Sequence, residues 1–173
     1  MEILADKAAW AAHYRANWHA EAQTTGRANW KVYQHPRNEL APGAPGVDLA
    51  VSRLLFITSA GAYLPGVQEP FDAASLFGDH TMRTFPSNTP LEALAYAHDH
   101  YDHQYIAADP QAALPLGHLA ELVAAGRIGA LTPSVISFMG YQPDSAGMVD
   151  ELVPPVVAQA KEEHAQAALL APV

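Results

Sequence analysis

The stretch SRLLFITSAGAYLPG, residues 52–66, decides the fold of this 173-residue chain. Its apolar run ends at Ser59-Ala60-Gly61, and an apolar run bounded by glycine is typical of a β-strand that is covered on both faces. Strands of this kind belong mainly to parallel sheets, because the connecting helices cover both faces of the sheet. The stretch therefore predicts a central strand of an α/β protein.

Downstream segments alternate between helix and strand patterns. Residues 116–126 (LGHLAELVAAG) predict a short helix with a glycine cap, and residues 135–141 (VISFMGY) predict a strand. Residues 145–163 predict a helix that Pro154-Pro155 kinks or splits. Residues 165–173 (AQAALLAPV) predict another buried strand. The alternation indicates a layered, Rossmann-like α/β fold with a largely parallel sheet.

One edge of this sheet is the predicted site. Ligands of parallel sheets bind beyond the carboxyl ends of the strands. We expect those ends at Ser59-Ala60-Gly61, Gly140-Tyr141 and Val173, with a histidine-rich segment nearby.

The first fifty residues form a region of their own in this prediction. Aromatic residues follow helical spacing among many alanines over residues 4–24, which predicts an N-terminal amphipathic helix carrying Trp10, Tyr14 and Trp18. Residues 25–50 predict a loop-rich connector that contains Pro36, Pro42 and Pro45. The predicted organisation is a helix and connector over residues 1–50, followed by an α/β domain over residues 51–173.

Composition argues against several classes of function. A formal net charge of −9 disfavours nucleic acid, because binding to phosphates relies on Lys and Arg. No apolar run approaches the ~20 residues that span a bilayer. The first residues lack the apolar core of a secretory signal, so we expect a cytoplasmic protein without membrane contact.

Charged residues make up 16%, below the ~25% of typical domains, which predicts a partner surface and an oligomer. The 173 residues contain no cysteine, hence no disulfide and no thiolate nucleophile.

The segment HDHYDH, residues 98–103, is the densest cluster of reactive side chains. It fits the pattern H-x-H-x-D-H and resembles the metal-binding signature of the metallo-β-lactamase superfamily. That resemblance implies a metal-dependent hydrolase in which zinc or iron activates water, with the ligands His98, His100, Asp102 and His103. The flanking sequences LEALAYA and QYIAAD differ from the apolar strand and the glycines of that superfamily. A solvated loop without chemistry is a second interpretation, and acid–base catalysis is a third.

Eight blocks in register carry a second resemblance, from about residue 54 to residue 173. In chain order they are TSAGAYL (58–64), GVQEPFD (66–72), Gly78-Asp79 with Arg83 and Pro86, HDHYD (98–102), Asp109 before LPLGHLAEL, GRIG (126–129), SFMGY (137–141) and LLAPV (169–173). With these blocks the chain resembles the selenoprotein B-like components of the glycine/sarcosine/betaine reductase and D-proline reductase family.

That resemblance implies reductive cleavage of a carbon–nitrogen bond in a small amino-acid-like substrate. A pyruvoyl group on a partner reductase subunit activates the amine, a selenolate or thiolate attacks at carbon, and a thioredoxin-like reductant restores the redox group. The resemblance places the selenocysteine or cysteine immediately after Val173, so the redox residue is expected outside the 173 residues. Three explanations stand open: a UGA codon read as a stop, a subunit split at that point, or a non-catalytic paralogue that binds small molecules or serves as a scaffold.

Within the reductase interpretation, polar residues receive candidate roles. His98 and His100 are acid–base groups, and Asp102 orients one of them or holds an ammonium group. Arg83 is the candidate for the substrate carboxylate, because a guanidinium matches a carboxylate in a bidentate pair. An ion pair with Asp79 is the alternative for Arg83.

Small residues complete the predicted site. Ser59 and Ser137 are candidate hydrogen-bond donors to an anion, or else they satisfy the loop backbone. Gly61 and Gly140 permit tight turns and a close backbone approach. The reductase resemblance does not require His103.

Overall fold

A five-stranded sheet runs through the computed structural model, which describes residues 4–38, 43 and 45–173. The central strand β1 (Arg53–Thr58) buries its apolar side chains on both faces: Leu54, Leu55 and Phe56 are at most 5% exposed. Burial of each such side chain contributes about 1.5–3 kcal/mol to stability. The strand predicted from residues 52–66 is confirmed.

Three strands pair with β1 in parallel: β5 (Ala130–Leu131), β6 (Ser134–Ser137) and β7 (Ala167–Ala171). Strand β7 runs along one edge of β1, while β5 and β6 share the other edge. This follows because Leu54 pairs with both β5 and β7, and Thr58 pairs with both β6 and β7. Strand β3 (Arg83–Pro86) adds to β6 and is antiparallel. The largely parallel α/β sheet is therefore confirmed.

A two-stranded antiparallel ribbon stands beside the sheet. It pairs β2 (Ala62–Tyr63) with β4 (Ala95–Tyr96). Strand β4 runs directly into the histidine-rich segment, so this ribbon delivers that segment to the end of β1.

Short helices cover the sheet and connect its strands. They are α3 (Gln104–Ala108), α4 (Leu116–Ala124), α5 (Ser145–Gly147) and α6 (Val153–Glu162). Leu116 and Leu119 of α4 pack in one core cluster with Leu54 and Phe56 of β1. A π-helical turn over Met148–Leu152 joins α5 to α6, and the proline pair lies in the first turn of α6. The helix predicted over residues 145–163 forms without a break, and its geometry changes from π-helical to α-helical directly before Pro154-Pro155.

The N-terminal helix is confirmed. It consists of α1 (Lys7–Tyr14), a π-helical turn (Arg15–His19) and α2 (Ala20–Thr25). Trp10, Tyr14 and Trp18 lie buried in a second core cluster, which also contains Ala146 of α5 and contacts Phe77. The helix therefore packs directly against the part of the chain that carries the sheet.

The described part of the connector contains no regular helix or strand before a 3₁₀ turn at Leu49–Val51. Pro42 lies outside the described residues, so the prediction for it is not tested. Among the helices in the described ranges, none combines the length and the apolar character needed to cross a membrane.

The prediction that residues 165–173 form a buried strand is wrong in one respect. The strand forms as β7, but Leu169 is 41% exposed and Leu170 is 54% exposed. The reason is its position, because β7 pairs only with β1 among the described strands and lies at the edge of the sheet. An apolar sequence predicts a strand but not the number of its neighbours.

Candidate functional site

The carboxyl ends of β1 and β6 are tied together by their backbones. The N–H of Gly61 donates to the carbonyl of Phe138 (2.9 Å), and the N–H of Gly140 donates to the carbonyl of Ser59 (3.0 Å). Ala60 and Met139 also form an isolated antiparallel bridge. The two strand ends therefore form one rigid floor beyond the sheet.

Gly61 brings the histidine-rich segment onto this floor. Its φ of 68° lies in the left-handed region that favours glycine. A side chain at Gly61 would begin 2.4 Å from the carbonyl oxygen of Ala97, which is an overlap. The N–H of Ala97 donates to the carbonyl of Gly61 (2.9 Å), so this close approach places His98 directly beside the strand ends. The backbones of Gly61 and Ala97 thus approach each other closely, while a role of Gly61 in binding a substrate stays a prediction.

His98 is the buried imidazole of the site, with 3% exposure. Its Nδ1 accepts a hydrogen bond from the N–H of His100 (3.1 Å), so in the neutral ring the proton resides on Nε2. That Nε2 is buried and has no partner among the described residues. Burial, and then the neighbouring His100 and His103, lower the pKa of His98. In its neutral form His98 is therefore an N–H donor through Nε2, and its acid–base role stays a prediction.

Ser59 and Gly140 lie against this donor. A side chain at Gly140 would begin 3.0 Å from the Oγ of Ser59 and 3.1 Å from the Nε2 of His98. Ser59 also holds the end of β7, because its N–H donates to the carbonyl of Ala171 (3.2 Å) and its Oγ accepts the N–H of Val173 (2.9 Å). The structure thus brings together Ser59, His98, Gly140 and Val173, as the strand-end prediction required.

The other two imidazoles of residues 98–103 make contacts of their own. The ring of His100 is exposed and stacks on Tyr141, with 3.8 Å between ring centroids. The Nε2 of His103 donates to the carbonyl of His98 (2.7 Å), and its ring stacks on Tyr101 at 4.5 Å. Each of the three imidazoles therefore has its own contact.

These contacts do not assemble the predicted metal ligands. Within residues 4–38, 43 and 45–173, no group of three or more His, Asp or Glu side chains is arranged to hold a metal ion. Asp102 accepts hydrogen bonds from the backbone N–H and the side chain of Gln104. These hydrogen bonds hold Asp102 at the start of α3, and its predicted role beside His98 or His100 stays a prediction.

Arg83 and Ser137 lie next to each other across β3 and β6. The Arg83 guanidinium donates to the carbonyls of Glu69 (2.8 Å), Pro70 (3.3 Å) and Met82 (3.1 Å), and to the Oγ1 of Thr81 (2.8 Å). It also lies 4.4 Å from the ring centroid of Phe71. A substrate carboxylate would have to use the one N–H that these contacts leave over, so Arg83 is placed mainly as a structural residue. The Oγ of Ser137 is buried and has no partner among the described residues.

Exchange of Arg83 for lysine is expected to lower the free energy of unfolding by about 1–3 kcal/mol, because an ammonium group cannot reach these acceptors in a planar fork. Urea denaturation measures the loss. Arg127→Lys is the control, because Arg127 is exposed and no more than a few tenths of a kcal/mol should change. Equal stability of the two variants would mean that the hydrogen bonds of Arg83 do not stabilise the fold, and Arg83 would again be a candidate for binding a ligand.

The sequence did not assign a role to two tyrosines of the site. The hydroxyl of Tyr101 donates to the carbonyl of Ala60 (3.0 Å), and the hydroxyl of Tyr141 donates to the carbonyl of Leu76 (3.1 Å). Burial raises the pKa of both hydroxyls, so both stay protonated. The only sequence signal was their position, beside His100 and directly after Gly140, and neither position indicates a stacking partner.

The fold and the site define an α/β protein with a buried N–H donor at the carboxyl edge of a largely parallel sheet. The D-proline reductase subunit gamma of Acetoanaerobium sticklandii is 29% identical to this chain over 114 residues, which cover 66% of this chain and 46% of that subunit. This similarity supports a distant relationship to that reductase subunit. The chain spans less than half the length of this relative.

No protein-family model matches the chain. No solved structure matches it. The similarity to a D-proline reductase subunit agrees with the resemblance predicted from the sequence, whereas the relation to glycine, sarcosine and betaine reductases stays a prediction.

Proposed function

We propose that this chain is a component of a reductase complex that cleaves a carbon–nitrogen bond in a small amino acid, with D-proline as the first candidate substrate. One observation carries the proposal. The sequence blocks 58–64, 98–102, 137–141 and 169–173, on which the reductase resemblance rests, converge at one edge of the sheet around Ser59. The similarity to the D-proline reductase subunit supports the same assignment.

In the proposal, the residues at this edge of the sheet have different roles. His98 and Ser59 bind a polar group of the substrate or of the reacting centre, because the Nε2 of His98 is buried without a partner among the described residues and lies, like the Oγ of Ser59, within 3.1 Å of the point where a side chain at Gly140 would begin. His100 exchanges protons with solvent, because its ring is exposed and held flat on Tyr141. Asp102 and Arg83 stabilise the loops around the site.

The electron-transfer groups come from outside these residues in the proposal, since the 173 residues contain no cysteine. A selenolate or thiolate carried beyond Val173 supplies the reducing group, a pyruvoyl group belongs to a partner subunit, and a thioredoxin-like protein restores the reduced state. The hydrogen bond from Val173 to Ser59 supports this arrangement, because it fixes the end of β7 at the site.

The open edge of the sheet supports a partner subunit. Successive side chains of a strand point to opposite faces, so the exposed Leu169 and Leu170 leave both faces of β7 uncovered. Parallel strands are usually covered on both faces. A partner that covers β7 also reaches the site, because Val173 follows this strand.

A second candidate is a non-catalytic subunit that binds the small molecule or serves as a scaffold. The absence of cysteine from the 173 residues favours it. A complex that binds D-proline without consuming it distinguishes this candidate from the reductase.

The complex purified from its native source through a tag on this chain is expected to consume D-proline in the presence of dithiothreitol. Gly140→Ala should reduce the consumption at least about tenfold, because the new methyl group crowds Ser59 and His98. Gly46→Ala is the matched control, since nothing lies within 4 Å of that position. A complex that neither binds nor consumes D-proline would contradict the proposal.

A further inference from the structure

Two hydrogen-bond donors converge beside the end of β7. The first is the Nε2–H of His98, which is buried and has no partner among the described residues. The second is the hydroxyl of Ser59, whose oxygen accepts the N–H of Val173 (2.9 Å) and whose hydrogen this contact does not use. Both lie within 3.1 Å of the point where a side chain at Gly140 would begin. A buried donor without a partner costs about 1–3 kcal/mol, so the arrangement calls for an acceptor.

We infer that His98, Ser59 and the carboxyl end of β7 form a site that stabilises a negatively charged group. The group is an acceptor without hydrogen atoms of its own, either a sulfur or selenium anion carried at the strand end or the carboxylate of a small ligand. The inference deepens the proposed function, because it says what the donors of that same site bind. It rests on the geometry of this chain and stands if the substrate is not D-proline.

The tautomer of His98 determines whether its free nitrogen attracts an anion by donating a hydrogen bond or instead accepts one. With Nδ1 occupied by the N–H of His100, the free nitrogen offers a hydrogen to an anion. The titratable groups around it are His100, His103 and Asp99, and Tyr101 and Tyr141 remain protonated. The neutral form of His98 is the donor, so the interaction with an anion needs no second proton on the ring.

The chain offers a clean probe of this preference, because it contains no cysteine. Val173→Cys, in a chain extended by Gly-Ser-Gly to move the terminal carboxylate away, places a single thiol at the strand end. Its pKa is read from thiolate absorbance against pH. Val67→Cys in the same extended chain is the control, because Val67 is 81% exposed and an exposed thiol titrates near about 8.5.

The strand-end thiol is expected to have a pKa at least about one unit lower than that of the control, which is a tenfold higher ratio of thiolate to thiol. Addition of Ser59→Ala or of His98→Leu should remove most of the difference. If His98→Leu does not fold, Ser59→Ala and the conservative His98→Gln, which keeps an N–H donor, still test the inference. A strand-end thiol with a pKa equal to or above that of the control overturns the strand-end site.

A second measurement separates the two sources of the anion. Sodium formate is titrated into the unmodified, ¹⁵N-labelled chain, and the His98 Nε2 resonance is compared with a sodium chloride titration of equal ionic strength. A formate-specific shift together with a lowered thiol pKa shows a site that also accepts a free carboxylate. A lowered pKa without a formate shift assigns the site to a group on the strand end, and a formate shift alone assigns it to a ligand carboxylate. Absence of both effects overturns the inference, whatever the D-proline assay shows.

Discussion

Replacement of Gly61 by alanine is expected to lower the free energy of unfolding by about 3 kcal/mol or more, and to displace His98 from the strand ends. Two costs combine at this position. An L-residue at a φ of 68° costs about 1–2 kcal/mol. The new methyl carbon would also stand 2.4 Å from the carbonyl oxygen of Ala97, which is backbone and cannot rotate away. Strand β4 must therefore move, and the hydrogen bond from Ala97 to Gly61 weakens.

Gly126→Ala separates the two costs, because Gly126 has a φ of 67° and nothing within 4 Å. The free energy of unfolding of this variant should fall only by the conformational cost of the positive φ, about 1 kcal/mol. Urea denaturation of both variants gives the difference, and the His98 imidazole resonances report the movement at the site. Equal losses for the two glycines would mean that the contact between Gly61 and Ala97 does not hold the histidine segment in place.

Local patterns in the sequence predicted the sheet well. The apolar run before Gly61 marked the central strand, and the glycine at the end of residues 116–126 takes the positive φ of a helix cap. These features depend on neighbours in the sequence. The burial of β7 cannot be read from neighbours in the sequence. The exposure of Leu169 and Leu170 depends instead on which elements lie beside the strand in the folded protein.

In the candidate site, too, some features were predictable from the sequence and others depend on contacts that only the folded structure shows. The strand-end rule predicted that Ser59, Gly140 and Val173 meet near the histidine segment, and the structure confirms it. Spacing alone could not show which nitrogen of His98 is free, because that depends on a backbone N–H two residues later. The stack of His100 on Tyr141 joins residues about forty positions apart, and no periodic pattern reports such a contact.

Trp18→Ala is expected to lower the free energy of unfolding by about 3–5 kcal/mol, the range for removing a large buried aromatic side chain. Trp18 is 1% exposed and contacts the rings of Tyr14, Trp30, Tyr33 and Phe77 at 5.3–6.3 Å between centroids. Its indole N–H is buried without a partner among the described residues, so its removal recovers part of the loss. The lower half of the range is therefore expected.

This variant also tests whether residues 1–50 unfold as a separate region. Phe77 and Ala146, which lie beyond residue 50, belong to the surroundings of the same cluster. Loss of Trp18 should therefore lower the stability of the sheet as well as that of the N-terminal helix. Hydrogen exchange of the β1 amides measures the first effect and exchange of the helix amides the second. Trp30→Ala is the control, because Trp30 is 51% exposed and should cost about 1 kcal/mol. Faster exchange in the helix alone would show that the helix and connector unfold independently of the sheet that carries His98.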